Sequence, residues 1–97
     1  MSRSLVERKL TQVNARLKEL RAELVVADEQ LQFLAEQADD SRLRALVSET
    51  PLAEHEHAEN QKHADAMARH RADVAASIAE LEQKQDELLD RLVAEAR

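Results

Sequence analysis

Apolar residues recur along the first half of the chain at alternating steps of three and four: Val6, Leu10, Val13, Leu17, Leu20, Leu24, Ala27, Leu31 and Leu34. This spacing keeps one seam of a helix turned toward a partner helix, and here it holds for about four heptads. In the same frame the seam passes through Ala38, Ser41, Ala45 and Ser48, while Leu43, Leu46 and Val47 fall off it. The second half follows the same rule through Ala53, His57, Asn60, Ala64, Met67, Arg71, Val74, Ile78, Leu81, Gln85, Leu88, Leu92 and Glu95. Two helical segments with one seam each are therefore expected.

Local signals bound them. Helix 1 starts near Ser2 or Ser4, and Ser4 with Glu7 fits a Ser-x-x-Glu capping box. Asp39-Asp40-Ser41 is where a break would fall, because Asp and Ser compete for backbone hydrogen bonds; continuity is the preferred reading. Thr50-Pro51 is the strongest punctuation, since Thr is a good N-cap and Pro suits the first helical position. Proline also keeps Thr50 out of the α region. The prediction is a single domain over 1–97, with helix 1 over about 3–48, a turn at 48–51 and helix 2 over about 51–96. Asp65 with Arg69, Glu80 with Lys84 and Glu87 with Arg91 are acid-then-base pairs four apart that support helix 2.

Folding the chain back brings the seams together. Leu17 then meets Leu81, Leu20 meets Ile78, Leu24 meets Val74, Leu31 meets Met67 and Val6 meets Leu92, which centres the fold-back on residue 49, inside the turn signal. Seam register and turn chemistry agree on an all-α, antiparallel two-helix coiled-coil hairpin. The register also places a polar seam: Ser41 against His57, Ala38 against Asn60, Arg71 against Ala27 and Gln85 against Val13. Polar seam residues fix register or partner choice at some cost in stability.

Composition narrows the class further. The 97 residues contain no Gly, one Pro and a single aromatic, Phe33, which speaks against strands. Charged residues make up 35% of the chain, too many for a thick core and ordinary for a thin helical assembly. The net charge of −6 argues against nucleic acid as a partner. No apolar run approaches the ~20 residues of a membrane span, and the first residues hold no apolar signal core, so a cytoplasmic location is expected. The absence of Cys removes disulfide and thiolate chemistry. A glycine-free chain has no phosphate loop or nucleophile elbow, and a two-helix coil offers no dry pocket, so neither an enzyme nor a bound cofactor is expected.

Three further groups bear on function. His55, Glu59 and His63 share a helix stripe at steps of four, the spacing of a helical metal pair. No His-Glu-x-x-His and no facing ligand set accompany them, so a solvated face is preferred to a metal site, with a histidine pH response between the two. Lys9 near Arg91 and Arg16 near Lys84 would repel weakly unless they splay into water or meet an acidic surface. Apolar residues off the seam form the expected interface: Val25, Val26 and Phe33 on helix 1, and a ridge from Ala68 through Ala72, Ala75 and Ala79 to Leu89 and Val93 on helix 2.

The length, two helices and lack of Cys resemble the small secreted WXG-type helical hairpins in shape, but the turn Ser48-Glu49-Thr50-Pro51 carries neither Trp nor Gly. Ser41 and Arg44 match a fragment of the Glu, Ser, Arg, Gln, Asp pattern with which one group of coiled-coil bacterial anti-sigma factors binds a cyclic dinucleotide. The flanking residues differ and helix 2 carries no second copy, so neither resemblance assigns a residue. The expected function is a non-enzymatic coiled-coil interaction module, an adaptor or regulatory protein. It binds itself as a homodimer, assembling a four-helix bundle, or binds a helical protein partner, with no nucleic acid and no membrane. The alternative is a small regulator, anti-sigma-like or sensing an ion or nucleotide, that uses the polar layer near the turn.

Overall fold

The computed structural model describes residues 2–96; Met1 and Arg97 lie outside the described residues. Among these the secondary structure is two helices, α1 over Arg3–Ser48 and α2 over Pro51–Glu95, with no strand. They pack antiparallel, so the chain is an all-α two-helix coiled-coil hairpin. Among the described residues no helix is long and apolar enough to cross a membrane.

The helix ends follow from hydrogen bonds that the backbone would otherwise lack. The N-cap of α1 is Ser2, not Ser4: the Ser2 hydroxyl accepts from the Leu5 N–H at 3.3 Å. The Ser4–Glu7 box does not form, because Glu7 is held by Arg3 at 3.1 Å and Ser4 is already inside the helix. At α2 the Thr50 hydroxyl accepts from the Ala53 N–H at 3.2 Å, and Pro51 is the first helical residue. The reversal between the helices uses Glu49 in the left-handed region, with φ of 51°. Glycine is the residue that adopts this conformation without cost, and this chain has none. Glu49→Gly should therefore raise stability by about 0.5 kcal/mol, the relieved strain exceeding the added entropy of the unfolded chain. Urea midpoints would show it, and a lower midpoint would mean that the Glu49 side chain offsets its own strain.

α1 runs through Asp39-Asp40-Ser41 without a break. The competing side chains are satisfied within the helix: the Ser41 hydroxyl donates to the Ala38 carbonyl at 2.9 Å, and Asp39 pairs with Arg42 at 3.2 Å. On α2, Asp65 accepts from Gln61 at 2.9 Å rather than pairing with Arg69. The preceding turn is as near as the following one, and exposed ion pairs contribute little either way.

The chain forms two compact units, one of residues 1–24 and 74–97, the other of residues 25–73. The terminal unit is built on large aliphatic side chains. Val6, Leu10, Val13, Leu17 and Leu20 on α1 cluster with Val74, Ile78 and Leu88 on α2, and Leu24, Leu81 and Leu92 pack against them. Val6 and Leu17 are wholly buried. Polar contacts flank this core: the Gln85 amide donates to Asn14 Oδ1 at 2.7 Å, and Arg21 pairs with Glu82 at 3.3 Å. Gln85, opposite Val13 in the expected register, has reached the next residue. Arg16 pairs with Glu19 on its own helix at 3.0 Å, so its charge is met locally.

The turn unit is built on small side chains. Its buried seam residues are Ala27, Ala38, Ser41 and Ala64, with Leu31, Leu34, Ala45, Ala53, His57, Asn60, Met67 and Arg71 half-buried. Across this thin seam two α2 side chains reach α1 backbone. The Asn60 amide donates to the Gln37 carbonyl at 3.5 Å, and His57 Nδ1 lies 3.2 Å from the Ala38 carbonyl. A carbonyl only accepts, so in this contact Nδ1 carries the proton.

Candidate functional site

The polar seam residues Ser41, His57, Asn60 and Arg71 are in the turn unit, and each is accounted for. Ser41 is 1% exposed, and its hydroxyl and His57 converge on the Ala38 carbonyl. His57 therefore meets the carbonyl of Ala38 rather than Ser41 itself. Helix carbonyls point toward the C-terminal end, which carries the Ala38 oxygen to the level of the next turn. Arg71 keeps its aliphatic stem on the seam and its guanidinium on Asp28, at 2.6 Å. No buried side-chain nitrogen or oxygen among the described residues lacks a partner. The layer thus spends its hydrogen bonds inside the hairpin, as a register-fixing device does.

His55, Glu59 and His63 are exposed on α2. Among the described residues no group of three or more His, Cys, Asp or Glu side chains is placed to hold a metal ion.

The apolar residues off the seam are the ones the fold leaves unused. In the turn unit Val25, Val26 and Phe33 are 58%, 50% and 60% exposed. Val26 and Phe33 lie one heptad apart, on one stripe of α1. Phe33 lines a shallow groove of about 460 Å³ together with the seam residues Leu34 and Met67, with Glu29 and Gln30 at its rim. Phe33 is pushed off the seam because Leu31 and Leu34 already occupy it.

Leu89 and Val93 belong to the terminal unit, four apart on α2, and both are exposed there. Of the alanine ridge, Ala75 is half-buried, while Ala68, Ala72 and Ala79 are exposed.

A further apolar group did not enter the expected interface. Leu43, Leu46 and Val47 near the end of α1, and Leu52 in the first turn of α2, are exposed at 51%, 63%, 87% and 78%. Their spacing of i, i+3, i+4 on the outer face of α1 was the signal available for them. Leu43 and Val47 line a groove of about 420 Å³ with Arg44, Ser48, Ala53 and Glu56, and Arg44 spans the two helices to Glu56 at 2.8 Å. Comparison with protein-family models, curated proteins and solved structures finds no match to this chain.

Proposed function

We propose that this chain is a non-enzymatic interaction module, an adaptor or regulatory protein, whose first partner is a second copy of itself. One observation carries the reading: Val25, Val26 and Phe33 stay half or more exposed although the seam beneath them is filled. A lone large aromatic set against an open apolar groove is the composition of an interface centre. The rim supports self-pairing, because it presents one carboxylate, Glu29, beside the neutral Gln30. A two-fold axis near Phe33 would let each copy cover the other's groove, giving four helices from two hairpins. The polar layer sets register within each hairpin.

At about 100 μM the wild-type chain should sediment as a dimer and Phe33→Glu as a monomer, since a charge at the centre of an apolar interface removes a hot spot. Circular dichroism should be unchanged, because Phe33 lies off the seam of its own hairpin. A wild-type monomer at that concentration would exclude the homodimer.

A further inference from the structure

We propose that the turn end carries a second docking surface, separate from the Phe33 groove, whose occupant is a basic amphipathic helix of another protein. Leu43 and Val47 line the groove at this end, and Leu46 and Leu52 lie exposed in the same stretch, four large aliphatic side chains each at least half exposed. Such concentration within one stretch of about ten residues goes beyond the scattered exposed aliphatics of ordinary surfaces.

The surface is held in shape. Thr50 caps α2, the Ser48 hydroxyl donates to the Arg44 carbonyl at 2.7 Å, and the Glu49 N–H donates to the Ala45 carbonyl at 3.0 Å. The Arg44–Glu56 pair spans the groove between the two helices. A ligand would meet a groove that is already ordered, which lowers the cost of binding.

Charge decides the occupant. The cations beside the surface are committed, Arg42 to Asp39 and Arg44 to Glu56. Asp40, Glu49 and Glu54 have no cationic partner among the described residues. Glu54 complements the N-terminus of α2, but Asp40 and Glu49 have no such local reason. A second copy would bring the same carboxylates against one another, and like charges facing across an interface are repelled. A helix with apolar residues at i, i+3 or i+4, and i+7, flanked by Lys or Arg, would cover the groove's apolar residues and pair with the carboxylates Asp40 and Glu49 of the same end.

The test uses the full chain and a fluorescein-labelled synthetic helix of leucine and lysine, about five turns long, read by fluorescence anisotropy. A peptide with the same leucines and glutamate for lysine is the control. The basic peptide should bind and the acidic one should not. The double variant V47S with L52S should weaken binding at least about tenfold, and D40K with E49K should weaken it similarly. Phe33→Glu should leave it unchanged, which keeps this result independent of self-association. Reversing two exposed carboxylates of the terminal unit, D86K with E87K, should also leave it unchanged. Equal binding of the two peptides would overturn the proposal, as would indifference to V47S with L52S. So would an equal loss in D86K with E87K, which would reduce the effect to the net charge of −6.

Discussion

Leu17→Ala should lower the stability of the chain by about 3 kcal/mol, within the range measured for buried leucines cut back to alanine. Leu17 is wholly enclosed in the aliphatic cluster of the terminal unit, so the side chain takes with it both its transfer free energy and its contacts. The two helices are each other's main support at this layer. A cavity there can close only if the backbones move, and the neighbouring layers of Val13 and Leu20, at 7% and 3% exposure, resist that. For a chain of this size the loss corresponds to a fall of roughly 12–24 °C in Tm. Leu20→Ala belongs in the same range, whereas Leu81→Ala should cost less, because Leu81 is only half-buried. Urea unfolding at fixed protein concentration, followed by circular dichroism, gives the comparison; fixed concentration matters because self-association adds stability by mass action. A cost for Leu17→Ala below that of Leu81→Ala would mean that the packing around Leu17 is not as described.

The seam that makes this prediction possible could be read from spacing alone. A helix has one face toward its partner, and only residues at steps of three and four can share it. So Val6 to Leu34 and Val74 to Leu92 can be assigned, and paired, from spacing alone. The turn was equally open to reading, because Thr50 and Pro51 each restrict the backbone for a local reason. Other features depend on choices that spacing does not reveal. Ser2 and Ser4 are both able to cap, and which one does so depends on where the first helical residue falls. Asp39 and Ser41 compete with helix in general, yet here Arg42 and the Ala38 carbonyl satisfy them in place. Glu49 takes a conformation that usually announces itself by glycine. At the candidate sites, Val25, Val26 and Phe33 stand out because they break the seam's rule in the middle of its strongest run. Leu43, Leu46 and Val47 also break it, but where the seam itself turns to alanine and serine the contrast is faint. Leu52 then joins them only through the reversal of the chain.

Ala38→Leu tests the opposite kind of packing. In the terminal unit stability follows from large side chains, and deletion is the damaging change. In the turn unit the seam is filled by Ala27, Ala38, Ser41 and Ala64, so enlargement should be the damaging change. Ala38 is 3% exposed and lies where Asn60 and His57 reach the α1 carbonyls of Gln37 and Ala38. A leucine at this position must displace α2 outward, since α1 cannot rotate without dislodging the seam residues on either side. The overpacking itself should cost about 1–3 kcal/mol. Moving α2 away also breaks the contacts of Asn60 and His57, at about 1 kcal/mol each where their groups stay shielded from water. The expected total is about 3–5 kcal/mol, at least comparable with Leu17→Ala although the substitution adds apolar surface. The location of the damage distinguishes the two. In native-state hydrogen exchange, Ala38→Leu should speed exchange of amides around Gln37–Ser41 and His57–Ala64 while leaving those around Leu17 and Ile78 protected. Leu17→Ala should give the reverse pattern. A chain stabilised by Ala38→Leu, with exchange slowed in the turn unit, would show that the small-residue seam leaves room between the helices and that its hydrogen bonds to α1 do not hold them close.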